Sequence, residues 1–314
     1  MSRHAPTLLV LALLAATAVA FGVTERLKLE RSPIAAPEIT KVFSPVCECD
    51  EETATIAFRL RERDTVTVSI VDDDLEVMRR LVVRRPVAAT RFETTWDGRD
   101  ESGEVVPEGQ YRPRLRLEGD RRTIVLPNQI RVDTTPPRVL DADFASVGFS
   151  PDGDGRKDKL TVRYRFSERA HGLLYLRERR VVRTLRQRPV SKLDWHGRVD
   201  ERALPAGDYS FTLAAEDTAG NVSEGRTFTA RIRYVELGRE TIRAQARTRF
   251  GVRVTSDAET VQWRFARATG RTRPGLLVLR APRRPGRYTL FVDANGHGAR
   301  ATVVVRPRTG RNAR

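Results

Sequence analysis

The chain has 314 residues, 39% of them hydrophobic and 31% charged, with a formal net charge of +16. That balance excludes a disordered polar chain, and two cysteines are too few for a disulfide-built miniature scaffold. The length leaves room for about two to three ordinary domains.

Residues 5–24 carry no charge and centre on Leu8-Leu9-Val10-Leu11-Ala12-Leu13-Leu14. As a helix at about 1.5 Å per residue they reach about 30 Å, the thickness of a hydrocarbon core. Arg3 ahead of the run favours an N-terminus left in the cytoplasm. Ala18-Val19-Ala20 has the small-x-small form of a cleavage site. Residues 1–24 therefore read as a signal anchor first and a signal peptide second, with the rest of the chain outside the cytoplasmic membrane. Residues 25–40, polar and broken by Pro33 and Pro37, read as a stalk.

A first module spans 41–135. Thr53 to Leu60, Thr65 to Val71, Leu81 to Val83 and Arg91 to Trp96 are β-branched or alternating strands. Asp72-Asp73-Asp74 is a hairpin tip. After Trp96-Asp97-Gly98 and Val106-Pro107-Glu108-Gly109, the strand from Tyr111 to Leu117 puts Tyr111, Pro113, Leu115 and Leu117 on one face and three arginines on the other. Thr123 to Leu126 and Ile130 to Val132 complete the module. Short strands with turn signals about every ten residues indicate a Greek-key sandwich, and Tyr111 is placed to set its hydroxyl on a loop backbone.

Thr134-Thr135-Pro136-Pro137 opens a joint. The second module, 136–234, repeats the device with Phe149-Ser150-Pro151, Trp195-His196-Gly197 and Tyr209. The third, 235–306, keeps only Pro285-Gly286-Arg287-Tyr288 and sets Trp263 in mid-module. Residues 307–314 form a basic tail.

Three sets of residues invite a site. Cys47 and Cys49 suit a disulfide pinning a turn, with free thiols as the second reading. Asp152, Asp154 and Asp158 lie on a Gly-rich turn in the second module. They read first as a tight turn and second as a Ca²⁺ site, since Arg163 stands where an EF-hand loop needs its bidentate Glu. Ca²⁺ is the only cofactor the pattern suggests. Trp96, Trp195 and Trp263 read as core-edge packing ahead of sugar platforms. His4, His171, His196 and His297 are scattered, and no nucleophile elbow, zinc signature or phosphate loop is written in the chain, so the expectation is a protein without catalysis.

Trp96-Asp97-Gly98-Arg99-Asp100 with Val106-Pro107-x-Gly109-x-Tyr111 resembles the Ig-like, fibronectin-III-like module of the flagellar hook-capping family. Phe149-Ser150-Pro151-Asp152-Gly153-Asp154-Gly155 and Ala215-x-Asp217-x-Ala219-Gly220-Asn221 are similar to openings and turns of bacterial Ig-like arrays. The resemblance covers about residues 41–234 and implies an all-β chain of tandem Ig-like sandwiches behind an N-terminal hydrophobic helix. The function expected is a non-enzymatic envelope spacer or binding array for an anionic wall polymer, a glycan or an envelope protein. A hook-assembly-like scaffold and an accessory module of a secreted hydrolase are the alternatives. Arg supplies nearly all the positive charge, either as solvent-facing strand positions or as attraction to polyanions; nucleic acid is not an expected partner of an exported chain. The oligomeric state is open.

Overall fold

The computed structural model describes residues 12–21, 32–144 and 148–308. The chain divides into two compact units, Met1–Thr134 and Thr135–Arg314.

In the first unit a helix covers 12–21, inside the predicted 5–24 run, whose residues 5–11 and 22–24 lie outside the described residues. Among the described residues no helix is long and apolar enough to cross a membrane. The remainder is a two-sheet sandwich. One sheet orders its strands Ile34–Ile39, Ala54–Leu60, Arg91–Trp96; the other orders them Val42–Phe43, Ile130–Val132, Gly109–Leu117, Asp64–Val71, Val77–Val87, with Arg122–Val125 also on Gly109–Leu117. Inward side chains of both sheets meet in one core, including Ile56, Phe58, Val66, Val68 and Leu115. The period-two expectation holds in the Gly109–Leu117 strand, which buries Tyr111, Pro113, Leu115 and Leu117.

The predicted stalk of 25–40 needs correcting. Ile34–Ile39 pairs antiparallel with Ala54–Leu60, with a bulge between Ala35 and Glu38, and Ile34 enters the core at 6% exposure. Pro37 sits inside that bulge on the sheet edge, where a missing N–H breaks no ladder, so proline did not forbid the strand. Residues 25–31 lie outside the described residues.

A lock between two short motifs shapes the end of this sandwich. The Phe43 and Trp96 rings meet edge to face at 5.5 Å. Trp96 Nε1 donates to the Arg99 carbonyl at 2.9 Å. Gly98 adopts φ +69°, and a Cβ there would come within 2.7 Å of Pro45, so only glycine fits both the backbone and the space. The Tyr111 hydroxyl donates to the Pro107 carbonyl at 2.7 Å, tying the strand to its own approach.

The second unit holds two separate cores. The earlier of them sits between the sheet Val139–Phe144, Leu160–Phe166, Val190–Trp195 and the sheet Gly148–Phe149, Arg226–Ile232, Gly207–Glu216, His171–Leu176, Arg179–Arg183. The lock recurs: Phe149 and Trp195 meet edge to face at 5.8 Å, Trp195 Nε1 donates to the Arg198 carbonyl, and Tyr209 donates to the Pro205 carbonyl. The later core lies between Glu236–Leu237, Arg249–Thr255, Gly275–Arg280 and the five strands Thr241–Gln245, His297–Arg306, Gly286–Ala294, Val261–Phe265, Ala268–Thr272. It lacks the Trp lock but keeps the tyrosine, whose hydroxyl donates to the Arg284 carbonyl at 2.8 Å. The chain is an all-β array of tandem Ig-like sandwiches. Of the predicted tail, residues 309–314 lie outside the described residues.

Candidate functional site

Asp152, Asp154 and Asp158 come together, with one carboxylate oxygen of each within 4.8 Å of the others. Backbone N–H groups already occupy much of this cluster. Gly153 and Gly155 donate to the two oxygens of Asp158 at 2.7 and 2.6 Å, and Arg156 N donates to Asp154 at 2.8 Å. The remaining reach of Asp152 goes to the last sandwich, where Asn295 Nδ2 donates to it at 3.0 Å. The donor set suits a hard cation in type, and these same carboxylates also fold the turn and tie two sandwiches together. In the corresponding turn of the first sandwich, a disulfide joins Cys47 and Cys49, with Cα atoms 5.2 Å apart.

Asp257, which the sequence did not single out, lies on the far side of the same joint. Both its carboxylate oxygens are buried without a hydrogen-bond partner. Burial pushes its pKa up from the ordinary carboxylate value, and Asp152 and Asp154 add to the rise; the Ser150 hydroxyl faces it and opposes the shift without closing a well-formed hydrogen bond.

Two of the histidines, His171 and His297, serve structure. His171 Nδ1 meets the Thr184 carbonyl at 2.6 Å, and the His297 ring stacks on Tyr234. His4 lies outside the described residues. Trp96 and Trp195 are buried at 1% and 4% exposure. Trp263 is half-buried: it shares the inner side of its strand with Val261 and Phe265, packs against the last core and lies across bare Gly270, while the outer side of the same strand borders an open concavity of about 780 Å³.

That concavity is built by sheet register. On the outer face of the five-stranded sheet, one row across four strands reads Arg271, Gln262, Asp293, Gly298, and the next reads Thr269, Arg264, Phe291, Arg300. Leu290, Val292 and Ala294 fill the core, so alternation turns Phe291 outward. Its ring rests on the bare backbone of Gly298, where a Cβ would come within 2.3 Å. The Arg264 guanidinium lies 4.8 Å from the ring centroid and that of Arg300 lies 5.7 Å away. Arg264, Arg271 and Arg300 are exposed, and among the described residues none has a carboxylate partner.

Charge is concentrated in the same region. Residues 235–314 contain 18 arginines, no lysine and five carboxylates, which accounts for +13 of the net +16. Residues 41–135 carry −3 and residues 136–234 carry +5. Counting charge module by module would have shown this from sequence; the arginine rows around Phe291 needed the register.

No protein-family model matches the chain, and no curated protein matches it. Among solved structures, the chain is similar to the Clostridium thermocellum CbhA fibronectin(III)-like modules at 13% identity and TM-score 0.35, over 63% of this chain and 94% of that one. A 1.5-MDa bacterial ice-binding adhesin aligns at 13% identity and TM-score 0.27, over 88% of this chain and 99% of that structure. FLGD from P. aeruginosa aligns at 19% identity and TM-score 0.24, over 44% of this chain and 90% of that one.

Proposed function

We propose that this chain is a non-enzymatic, extracytoplasmic array of Ig-like modules (34–135, 136–234 and 235–306) whose last module attaches it to an anionic polymer of the cell envelope. The observation that carries the reading is the charge of residues 235–314, 18 arginines against five carboxylates on one sandwich and its tail. Guanidinium groups stay charged at any physiological pH and pair well with carboxylates and phosphates. The hydrophobic run at 5–24 and the Cys47–Cys49 disulfide support export to an oxidising compartment. The ladders of every module and the ring locks of the first two give the array a fixed shape with which to display the basic one.

The test is sedimentation of the purified chain with isolated envelope polymer at low and high salt, alongside a chain ending at residue 234. Binding at low salt that fades as ions screen the arginines, and that disappears with the truncation, is expected. Binding that is indifferent to salt, or retained by the truncated chain, overturns the reading. Sequencing the mature N-terminus shows whether the 5–24 segment is an anchor or is removed after Ala20. A flagellar scaffold is the second reading, favoured by the paired Trp-x-Gly and Phe-Ser-Pro locks; loss of motility on deletion would replace the first reading with it.

A further inference from the structure

The outer face of the last five-stranded sheet has what a diffuse basic surface lacks: an aromatic bed, cations held on it, and uncharged or acidic hydrogen-bonding groups between them. Arg264 and Arg300 stand on the strands flanking Phe291, about 10 Å apart along the sheet. Stacking on the ring restrains their side chains before any ligand arrives, which lowers the ordering cost of binding. Arg271 lines the same concavity one row away. Gln262 and Asp293 lie among the arginines, and Asp293 Oδ2 accepts from Gly296 N at 3.1 Å. An acid in the middle of an anion site repels a bare phosphate chain but accepts well from a hydroxyl.

We propose that this face is a binding site for an acidic polysaccharide. Its carboxylates pair with Arg264, Arg271 and Arg300, its hydroxyls bond Gln262 and Asp293, and a sugar face lies against the exposed part of Phe291. The inference rests on the polyanion reading above and narrows it to one face and one chemistry.

The experiment is calorimetric titration of the full-length chain, kept in a mild detergent, with oligogalacturonate, its methyl-esterified neutral form and inorganic polyphosphate. Two double variants remove equal charge: Arg264→Gln with Arg271→Gln on this face, and Arg249→Gln with Arg280→Gln on the other sheet, where those two residues are register partners. Expected are binding of oligogalacturonate, little of either other probe, a loss of about tenfold or more in the first variant and about twofold or less in the second, with melting temperatures unchanged. Phe291→Leu, which keeps the apolar contact with Gly298, is expected to give an intermediate loss. Equal losses in both double variants overturn the site and leave the polyanion reading standing. Polyphosphate binding as tight as oligogalacturonate overturns the sugar assignment. No binding of either anion by the unmodified chain overturns the site and the polyanion reading together.

Discussion

The His297 ring lies flat on Tyr234, with centroids 3.5 Å apart and planes 4° from parallel. Tyr234 ends the second predicted module, and His297 begins the last strand of the third. The Tyr234 hydroxyl donates to the Leu204 carbonyl at 2.6 Å, while its own carbonyl accepts from Ser256 Oγ at 2.7 Å. One residue therefore joins two cores by stacking and by hydrogen bonds. His297→Ala is expected to cost about 0.5–1.5 kcal/mol, the worth of an aromatic pair, and Tyr234→Ala about 3–5 kcal/mol, both read by urea denaturation of the chain.

Gly98 and Gly197 face a double restriction, positive φ and a proline ring within 2.7 and 2.4 Å of a Cβ. Alanine at either site is expected to cost about 2 kcal/mol or more, combining left-handed strain with overpacking. Gly103 has φ +87° and open space around it, so Gly103→Ala isolates the backbone part at about 1 kcal/mol. Similar losses at Gly98 and Gly103 would show that the proline contact contributes nothing.

Burial raises the pKa of the Tyr111 hydroxyl above 10.0, and Asp72 adds to the rise. The folded state then holds that proton after the unfolded chain has released it. Stability from this group is complete below the unfolded pKa and declines as pH climbs through the folded one. Tyr234 is raised for the same leading reason. Unfolding free energy is expected to fall as pH rises above about 10, less steeply in Tyr111→Phe. That variant also loses the bond to the Pro107 carbonyl, at about 1 kcal/mol near neutral pH.

Asp158 accepts two backbone N–H groups, so Asp158→Ala is expected to cost about 1–2 kcal/mol, as a lost cap does. Chelator and added Ca²⁺ are expected to leave the melting temperature of the unmodified chain in place, because backbone donors already use these carboxylates. A rise of several degrees with Ca²⁺ would make the turn a cation site as well.

Asp257→Asn tests the buried carboxylate. Its raised pKa means that the stability it gives is present in acid and lost as pH rises through the folded value. Above that value the unmodified chain buries an unpartnered charge there. Asp257→Asn is expected to stabilise the second unit by about 1 kcal/mol once pH exceeds the folded value, with the gain vanishing in acid.

The sequence spoke most clearly where one strand carries its own signal. Tyr111, Pro113, Leu115 and Leu117 announce a half-buried strand without help from any partner, and the repeated Trp-x-Gly announces the lock. Ile34–Ile39 was hidden because two prolines read as a stalk, and only the bulge explains how Pro37 fits. Asp257 was invisible because its significance comes from a turn about 100 residues earlier in the chain. The Phe291 face falls between these cases: its outward direction follows from alternation, whereas its arginines assemble only through pairing across four strands.

The irregular start of the first sandwich bears on how copies of this protein coexist. A β-array displayed at high density risks zippering, one molecule's outermost backbone templating the next. At Pro37 that backbone has no N–H to offer, and the kink at Ala36, with φ +46°, turns it out of line. Crowded neighbours meet an interrupted template there, which favours separate molecules over fibres.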